Sequence, residues 1–194
     1  MPDKCYNHIT NMEHIEYEER VLISESDYKK VIEDVKREGK KLRHLNIENS
    51  YLDNQDFEIY KAKRMLRIRT INGRDKELTL KVKLSNGSTL EINETIESHP
   101  RIDKELNKGF SNYQEIARLK TERYEVEFDD YLLVIDKNEY SGTIDYDLEI
   151  ESDSQAKAKK IIEFYCKKYD FIFDPHYKNK SHRAVDKALE TIKK

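Results

Sequence analysis

Segment after segment of this chain alternates apolar and ionic side chains with a period of two. Arg67 and Arg69 alternate with Leu66 and Ile68, and Lys81 and Lys83 alternate with Leu80 and Val82. Arg123 stands in register against Tyr124 and Val126, and Glu91 lies between Leu90 and Ile92. Two acidic runs, Ile15–Arg20 and Asp145–Glu151, follow the same rule. Glu16 and Glu18 share one face, as do Asp147, Glu149 and Glu151, while Tyr17, Leu148 and Ile150 take the opposite one. Successive side chains of a strand point to opposite faces, so each segment reads as a strand with one apolar and one charged side. The signs sort by strand, acid on the first and last and base on the middle ones. A solvated antiparallel sheet explains any one such strand. It explains the set poorly, because solvated faces mix signs across neighbours so that charges pair.

Turn and helix signals punctuate the strands. Ser24-Glu25-Ser26-Asp27 supplies N-cap chemistry for a helix through Glu38, stopped by Gly39. Further strands are expected at Leu45–Leu52, Met65–Ile71 and Leu78–Leu84, with Asn72-Gly73 and Asn86-Gly87 as hairpin turns before the next strand at Thr89–Ile96. Pro100–Ala117 reads as helical or irregular. Strands resume at Lys120–Phe128, Tyr131–Asp136 and Thr143–Glu151, and Ser152-Asp153-Ser154 caps a helix over Gln155–Tyr169. A tail carrying Lys178, Lys180 and Arg183 ends in a short helix. The sum is one α+β domain over residues 1–194, with a flexible N-terminus at 1–12. Its centre is an eight-stranded antiparallel sheet or closed barrel.

The chain has 194 residues, of which 39% are charged, yet its formal net charge is only -3. Such balance excludes a general binder of nucleic acid or anionic membrane, which would carry a basic excess. No stretch is long and apolar enough to cross a membrane, and Met1–Met12 lacks the apolar run of a signal peptide. Cys5 and Cys166 are far apart and form no CxxC pair, which fits free thiols in a reducing cytoplasm. The six histidines show neither HxxxH nor HExxH spacing.

The helices need an apolar surface to pack on. If they cover the apolar outside of a barrel, the charged faces must line its interior, and such an interior is costly unless a charged ligand and water fill it. Clustered Arg and Lys on one wall, with carboxylates on another, suit a polyphosphate. Arginine forks match phosphate oxygens, and stacked carboxylates call for a hard divalent cation. Neither GxxxxGK[ST] nor GxGxxG occurs, so side chains must hold the phosphate.

Glu16-Tyr17-Glu18-Glu19-Arg20 resembles the N-terminal ExExK signature of CYTH domains, the triphosphate tunnel metalloenzymes. Leu66–Arg69, Leu78–Lys81, Arg123 and Tyr146–Glu151 follow in that family's order, and the resemblance spans Ile15 to Arg183 with the look of the small bacterial members. It implies an eight-stranded tunnel with a charged interior and helices packed outside, holding Mg²⁺ or Mn²⁺ and a triphosphate. By the same resemblance, Glu16, Glu18, Glu149 and Glu151, with Asp147, hold the metal, and Glu16, Glu18 and Arg20 are the catalytic set. Arg67, Arg69, Lys81, Lys83, Arg123, Lys180 and Arg183 bind substrate, with Glu91 and Asp136 as weaker carry-overs. The implied activity is metal-dependent hydrolysis of inorganic triphosphate by in-line water attack.

The alternatives left open are thiamine triphosphate or nucleotide hydrolysis, adenylate cyclisation, or a non-catalytic polyphosphate or nucleotide sensor. The expected partner is a triphosphate-containing small molecule, without nucleic acid or membrane, and a homodimer is compatible with this reading. The family signature ends in lysine where this chain has Arg20, which keeps the charge but cannot release a proton.

Overall fold

A computed structural model of the chain describes residues 12–85, 88–106, 112–174 and 176–192; the side chains of residues 12–14, 16, 75 and 192 are outside that description. Eight strands run in chain order: β1 (Met12–Ile23), β2 (Arg43–Asp53), β3 (Arg64–Ile71), β4 (Asp75–Lys83), β5 (Thr89–Thr95), β6 (Gln114–Glu127), β7 (Tyr131–Tyr140) and β8 (Thr143–Ser152). They close into an antiparallel barrel in the order β1-β5-β4-β3-β2-β6-β7-β8. Closure falls on β1, whose first half pairs with β5 (Glu16 opposite Thr89) and whose second half pairs with β8 (Glu18 opposite Glu151, Arg20 opposite Glu149). Asn72 and Gly73 both have positive φ, which is what a two-residue turn matching the strand twist requires. The Asn86-Gly87 turn lies outside the described residues.

Helices α1 (Glu25–Arg37) and α4 (Gln155–Tyr169) cover the outside of β1, β8, β7 and the end of β6. There Val21, Leu133, Ile135, Leu148 and Ile150 meet Val31, Ala158 and Ile162, all at most 1% exposed. Each such side chain contributes roughly 1.5–3 kcal/mol by leaving water, so this layer supplies much of the stability a charged interior cannot. Ser24 caps α1 as its sequence predicts, its hydroxyl accepting from the Asp27 amide at 3.1 Å. Short helices α2 (Glu58–Lys61) and α3 (Pro100–Leu106) cover Leu66, Leu78, Leu80 and Ile92 on the outside of β3–β5.

Three elements depart from the sequence reading. Within the stretch Pro100–Ala117, the described residues form α3 over Pro100–Leu106, and β6 starts at Gln114, six residues before its expected start at Lys120. Helix α2 has no counterpart in the expectations. It forms because buried Asp53 accepts from the Ile59 and Tyr60 amides at 3.0 and 2.8 Å, a side-chain cap reaching from the end of β2. The final helix, α5 (Lys180–Ile192), has 13 residues and does not pack outside. Its Ala184 and Val185 press against Tyr51, Met65, Ala117, Leu119 and Tyr140, side chains on the inward faces of their strands, so α5 closes one end of the barrel.

Candidate active site: an ionic barrel interior

Alternation fixes what the interior holds. Leu66, Leu78, Leu80 and Ile92 point outward, so Arg67, Arg69, Lys81 and Glu91 point in. These side chains, with Glu18, Arg20, Arg123, Glu149, Glu151 and Lys180, surround a cavity of about 130 Å³. Two walls differ in character.

On the β3–β4–β5 wall cations outnumber their partners. Arg67 is 4% exposed; one guanidinium nitrogen lies 3.4 Å from Glu91, and its Nε–H has no hydrogen-bond partner. Lys81 Nζ pairs with Glu91 at 2.5 Å, so this one carboxylate serves two cations. Arg69 donates from Nε to Asn49 at 3.4 Å and has no ion-pair partner among the described residues. Burial, then the neighbouring Arg67 charge, pushes the pKa of Arg69 below its ordinary value.

The facing wall, built from β1, β6, β7, β8 and the start of α5, is a linked set of ion pairs in which only the Arg20 Nε–H, among the described cations, is buried without a hydrogen bond. Arg123 grips Asp136 bidentately at 2.9 and 2.8 Å and lies 3.4 Å from Glu149. Lys180 Nζ donates to Asp136 at 2.5 Å and to Glu149 at 2.9 Å. Arg20 pairs with Glu18 and sits 3.4 Å from Glu149. Burial alone would raise the Glu149 pKa, but Lys180, Arg20 and Arg123 together hold it far below the usual carboxylate range. Burial likewise opposes the charge on Arg123, yet the Asp136 carboxylate carries its pKa well above the ordinary value.

Most of the residues singled out from sequence therefore meet in one cavity: Glu18, Arg20, Arg67, Arg69, Lys81, Arg123, Glu149, Glu151 and Lys180. Lys83 lies just outside, at a mouth of about 700 Å³ shared with Glu18, Arg20 and Lys81. The Glu16 side chain is outside the described residues. Asp147 and Arg183 lie deeper, bound to each other at 2.7 Å under the end closed by α5. Arg43 and Glu125 also line the cavity, 3.4 Å apart, and were not singled out. Arg43 shares its strand face with Leu45 and Ile47, apolar residues that also line the cavity, so an alternation that turns apolar faces outward hides it.

Among the described residues no three His, Cys, Asp or Glu side chains converge as a metal cluster. The donor chemistry nevertheless suits a hard divalent cation. Glu18 and Glu151 oppose each other across the β1–β8 ladder, both line the cavity, and Glu149 is held ionised beside them. Arg20 and Lys180 occupy these carboxylates as counterions, so a metal would enter by exchange with protein cations.

The comparisons with known proteins agree with this barrel. A structure from Bacillus halodurans described as an adenylate cyclase candidate superposes with a TM-score of 0.74 at 25% identity, covering 88% of this chain and 97% of that one. A Hippeastrum protein, named an adenylyl cyclase candidate and reported to have a dominant triphosphatase activity, gives a TM-score of 0.73 at 19% identity, with 90% and 96% covered. A Pyrococcus horikoshii protein gives 0.61 at 21% identity, with 91% and 99% covered. No curated protein matches the sequence. The CYTH domain profile matches residues 14–171, the stretch that builds all but the first two residues of the barrel together with α1 to α4, and the chain belongs to the CYTH domain family.

Proposed function

We propose that this protein is a metal-dependent triphosphatase acting on a small triphosphate, with inorganic triphosphate as the favoured substrate. One observation carries the reading. Arg67 is a buried cation with an unpartnered Nε–H and Arg69 a half-buried one without an ion pair among the described residues, both on the wall of an ionic cavity. A protein bears that cost where an anion completes the set. Charged side chains dominate the cavity wall, with Leu45, Ile47, Tyr51, Met65, Ile71 and Leu132 between them, and this balance favours a substrate rich in phosphate.

In this reading the phosphate chain lies along Arg67, Arg69 and Lys81, whose donors match its equatorial oxygens. Arg123 and Lys180 face it from the other wall, pre-oriented by Asp136. Water attacks the terminal phosphorus in line, the bridging P–O bond breaks, and orthophosphate and pyrophosphate leave. Arg20 stays protonated throughout, so it stabilises charge and moves no proton. Glu18, Glu149 and Glu151, with Glu16 as the family resemblance implies, would hold Mg²⁺ or Mn²⁺, which supplies neutralisation of phosphate charge and a more acidic water.

Phosphate release from inorganic triphosphate, thiamine triphosphate and ATP, with Mg²⁺ or Mn²⁺, tests the proposal. Inorganic triphosphate is expected to be fastest, and Glu18→Gln is expected to abolish metal-dependent release while the far-ultraviolet dichroism is unchanged. Pyrophosphate and a cyclic nucleotide from ATP would replace hydrolysis by cyclisation. Tight binding of triphosphate without release would make the protein a sensor.

A further inference from the structure

Arg183 fits none of the roles so far described. Its Nε and one Nη grip Asp145 at 2.8 and 2.8 Å, the same Nη reaches Asp147 at 2.7 Å, and the other Nη donates to the Lys178 carbonyl at 2.8 Å. Four of its five N–H groups are thus committed within the protein. One face of the guanidinium lies 4.7 Å from the centre of the Tyr177 ring, and the side chain is 10% exposed. Asn138 and Tyr140 bind the same two carboxylates from β7, Asn138 at 2.8 Å to Asp147 and 3.1 Å to Asp145. An arginine so occupied has no fork left for a phosphate, so the substrate-binding role expected for it from sequence does not fit its contacts.

Its place on α5 gives it another role. Lys180 and Arg183 are three residues apart, so both look into the barrel from one side of the helix. The apolar contacts of α5 use the small side chains Ala184 and Val185, and apolar contact is non-directional; it docks a helix without fixing its rotation. Without Arg183, the polar tethers of α5 would be the Lys180 ion pairs with Asp136 and Glu149 and, half a helix further on, the hydrogen bond from the Tyr60 hydroxyl of α2 to Asp186, which does not hold the Lys180 end against the barrel floor. The Lys180 pairs are the bonds that must loosen when its ammonium turns to a phosphate. A second tether lets that exchange happen without freeing the helix.

We propose that Arg183 is a positioning residue, latching α5 to Asp145 and Asp147 so that Lys180 stays aimed into the cavity while its ammonium exchanges carboxylate for phosphate. The inference rests on the triphosphate reading above, and it assigns the latch a share in substrate affinity rather than in the chemical step.

A double-mutant cycle on phosphate release from inorganic triphosphate tests it. Lys180→Ala and Arg183→Ala are each expected to raise KM by about 10- to 100-fold, the range for one charge-assisted hydrogen bond, with little change in kcat. The double variant is expected to match Lys180→Ala alone, because the latch acts only through Lys180. Arg183→Lys, with one point charge instead of a fork, is expected to recover part of the affinity. Asp145→Asn breaks the latch from the barrel side and should reproduce the KM effect. Multiplying penalties in the double variant would show that Arg183 contacts substrate itself and would overturn the proposal. A lowered melting temperature with unchanged KM would reduce Arg183 to a structural role and overturn it too. Amide exchange gives a substrate-free readout: residues 180–192 should exchange faster in Arg183→Ala while β7 and β8 do not, and unchanged exchange sinks the latch. If the wild-type protein neither binds nor cleaves triphosphate, the function itself fails, and that result is read before any variant is made.

Discussion

The two walls of the barrel hold similar charges and treat them in opposite ways. On the β1–β8 wall every central carboxylate has a cation: Glu18 has Arg20, Asp136 has Arg123 and Lys180, and Glu149 touches three. On the β3–β4 wall Glu91 serves both Arg67 and Lys81, and Arg69 hydrogen-bonds only an amide oxygen, with Glu77 opposite it in the ladder but not ion-paired to it. The first wall pairs each of these carboxylates without a ligand, though the Arg20 Nε–H makes no hydrogen bond. The second is complete only with an anion. A self-neutralised wall is a scaffold that holds Arg123 and Lys180 in place, and an under-neutralised wall is where a ligand gains most by arriving.

The contrast is broken most sharply at Arg69. Arg69→Ala is expected to lower kcat/KM for inorganic triphosphate by about 100- to 1,000-fold, the range for a preorganised donor facing developing charge. Thermal stability should hold or rise, since the variant removes a half-buried charge that desolvation and the neighbouring Arg67 already disfavour. Steady-state phosphate release and a melting curve on the same sample check both halves. A loss of stability parallel to the loss of activity would mean that Arg69 is a structural cation and that the walls do not differ.

The opposite wall should answer in the opposite sense. Glu149→Gln removes the carboxylate shared by Arg20, Arg123 and Lys180 and is expected to cost roughly 3–5 kcal/mol of stability, as for other broken buried pairs. Urea unfolding monitored by tyrosine fluorescence reads it directly. A cost below about 1 kcal/mol would show that Glu18 and Asp136 suffice as counterions, and the idea of a self-completing wall would have to go.

Much of this contrast was legible in the sequence, for a physical reason. Period-two alternation with apolar partners as specific as Leu66, Leu80, Leu148 and Ile150 leaves each intervening charge one face to occupy, and the helices that need those apolar partners force that face inward. The same logic failed where an apolar face turns inward or the alternation runs out. Arg43 shares its face with Leu45 and Ile47, apolar residues that here line the interior, and β6 starts at Gln114 within a stretch whose polar residues give no strand alternation. Pairing was the other blind spot. Nothing in the spacing shows that Lys180 and Arg183, three residues apart on one helix, reach different carboxylates, because that depends on α5 turning into the barrel mouth. Asp147 shares an alternation face with Glu149 and Glu151, yet it is sealed under α5 and tied to Arg183, which sets it apart from the metal role the resemblance implied.

That burial makes Asp147 the finest probe of the floor beneath both walls. Removal from water, opposed by Arg183 and assisted by the Glu149 charge, raises its pKa to about 6. An unfolded aspartate titrates near about 4. Between about pH 4 and 6 the folded protein therefore holds a proton the unfolded chain has lost. Stability from this group is present below that window and declines as pH rises through it, reaching its low plateau above about pH 6. Glu149 acts in the opposite direction, its depressed pKa favouring the fold until strong acid protonates it, so the two windows do not overlap. Asp147→Asn should flatten the fall between about pH 4 and 6, by less than about 3 kcal/mol for a shift of some two units. Unfolding midpoints across that range, wild type against variant, measure the difference. Parallel profiles would mean that Arg183 neutralises Asp147 fully, leaving Asp147 an ordinary ion-pair partner rather than a carboxyl group strained by its burial.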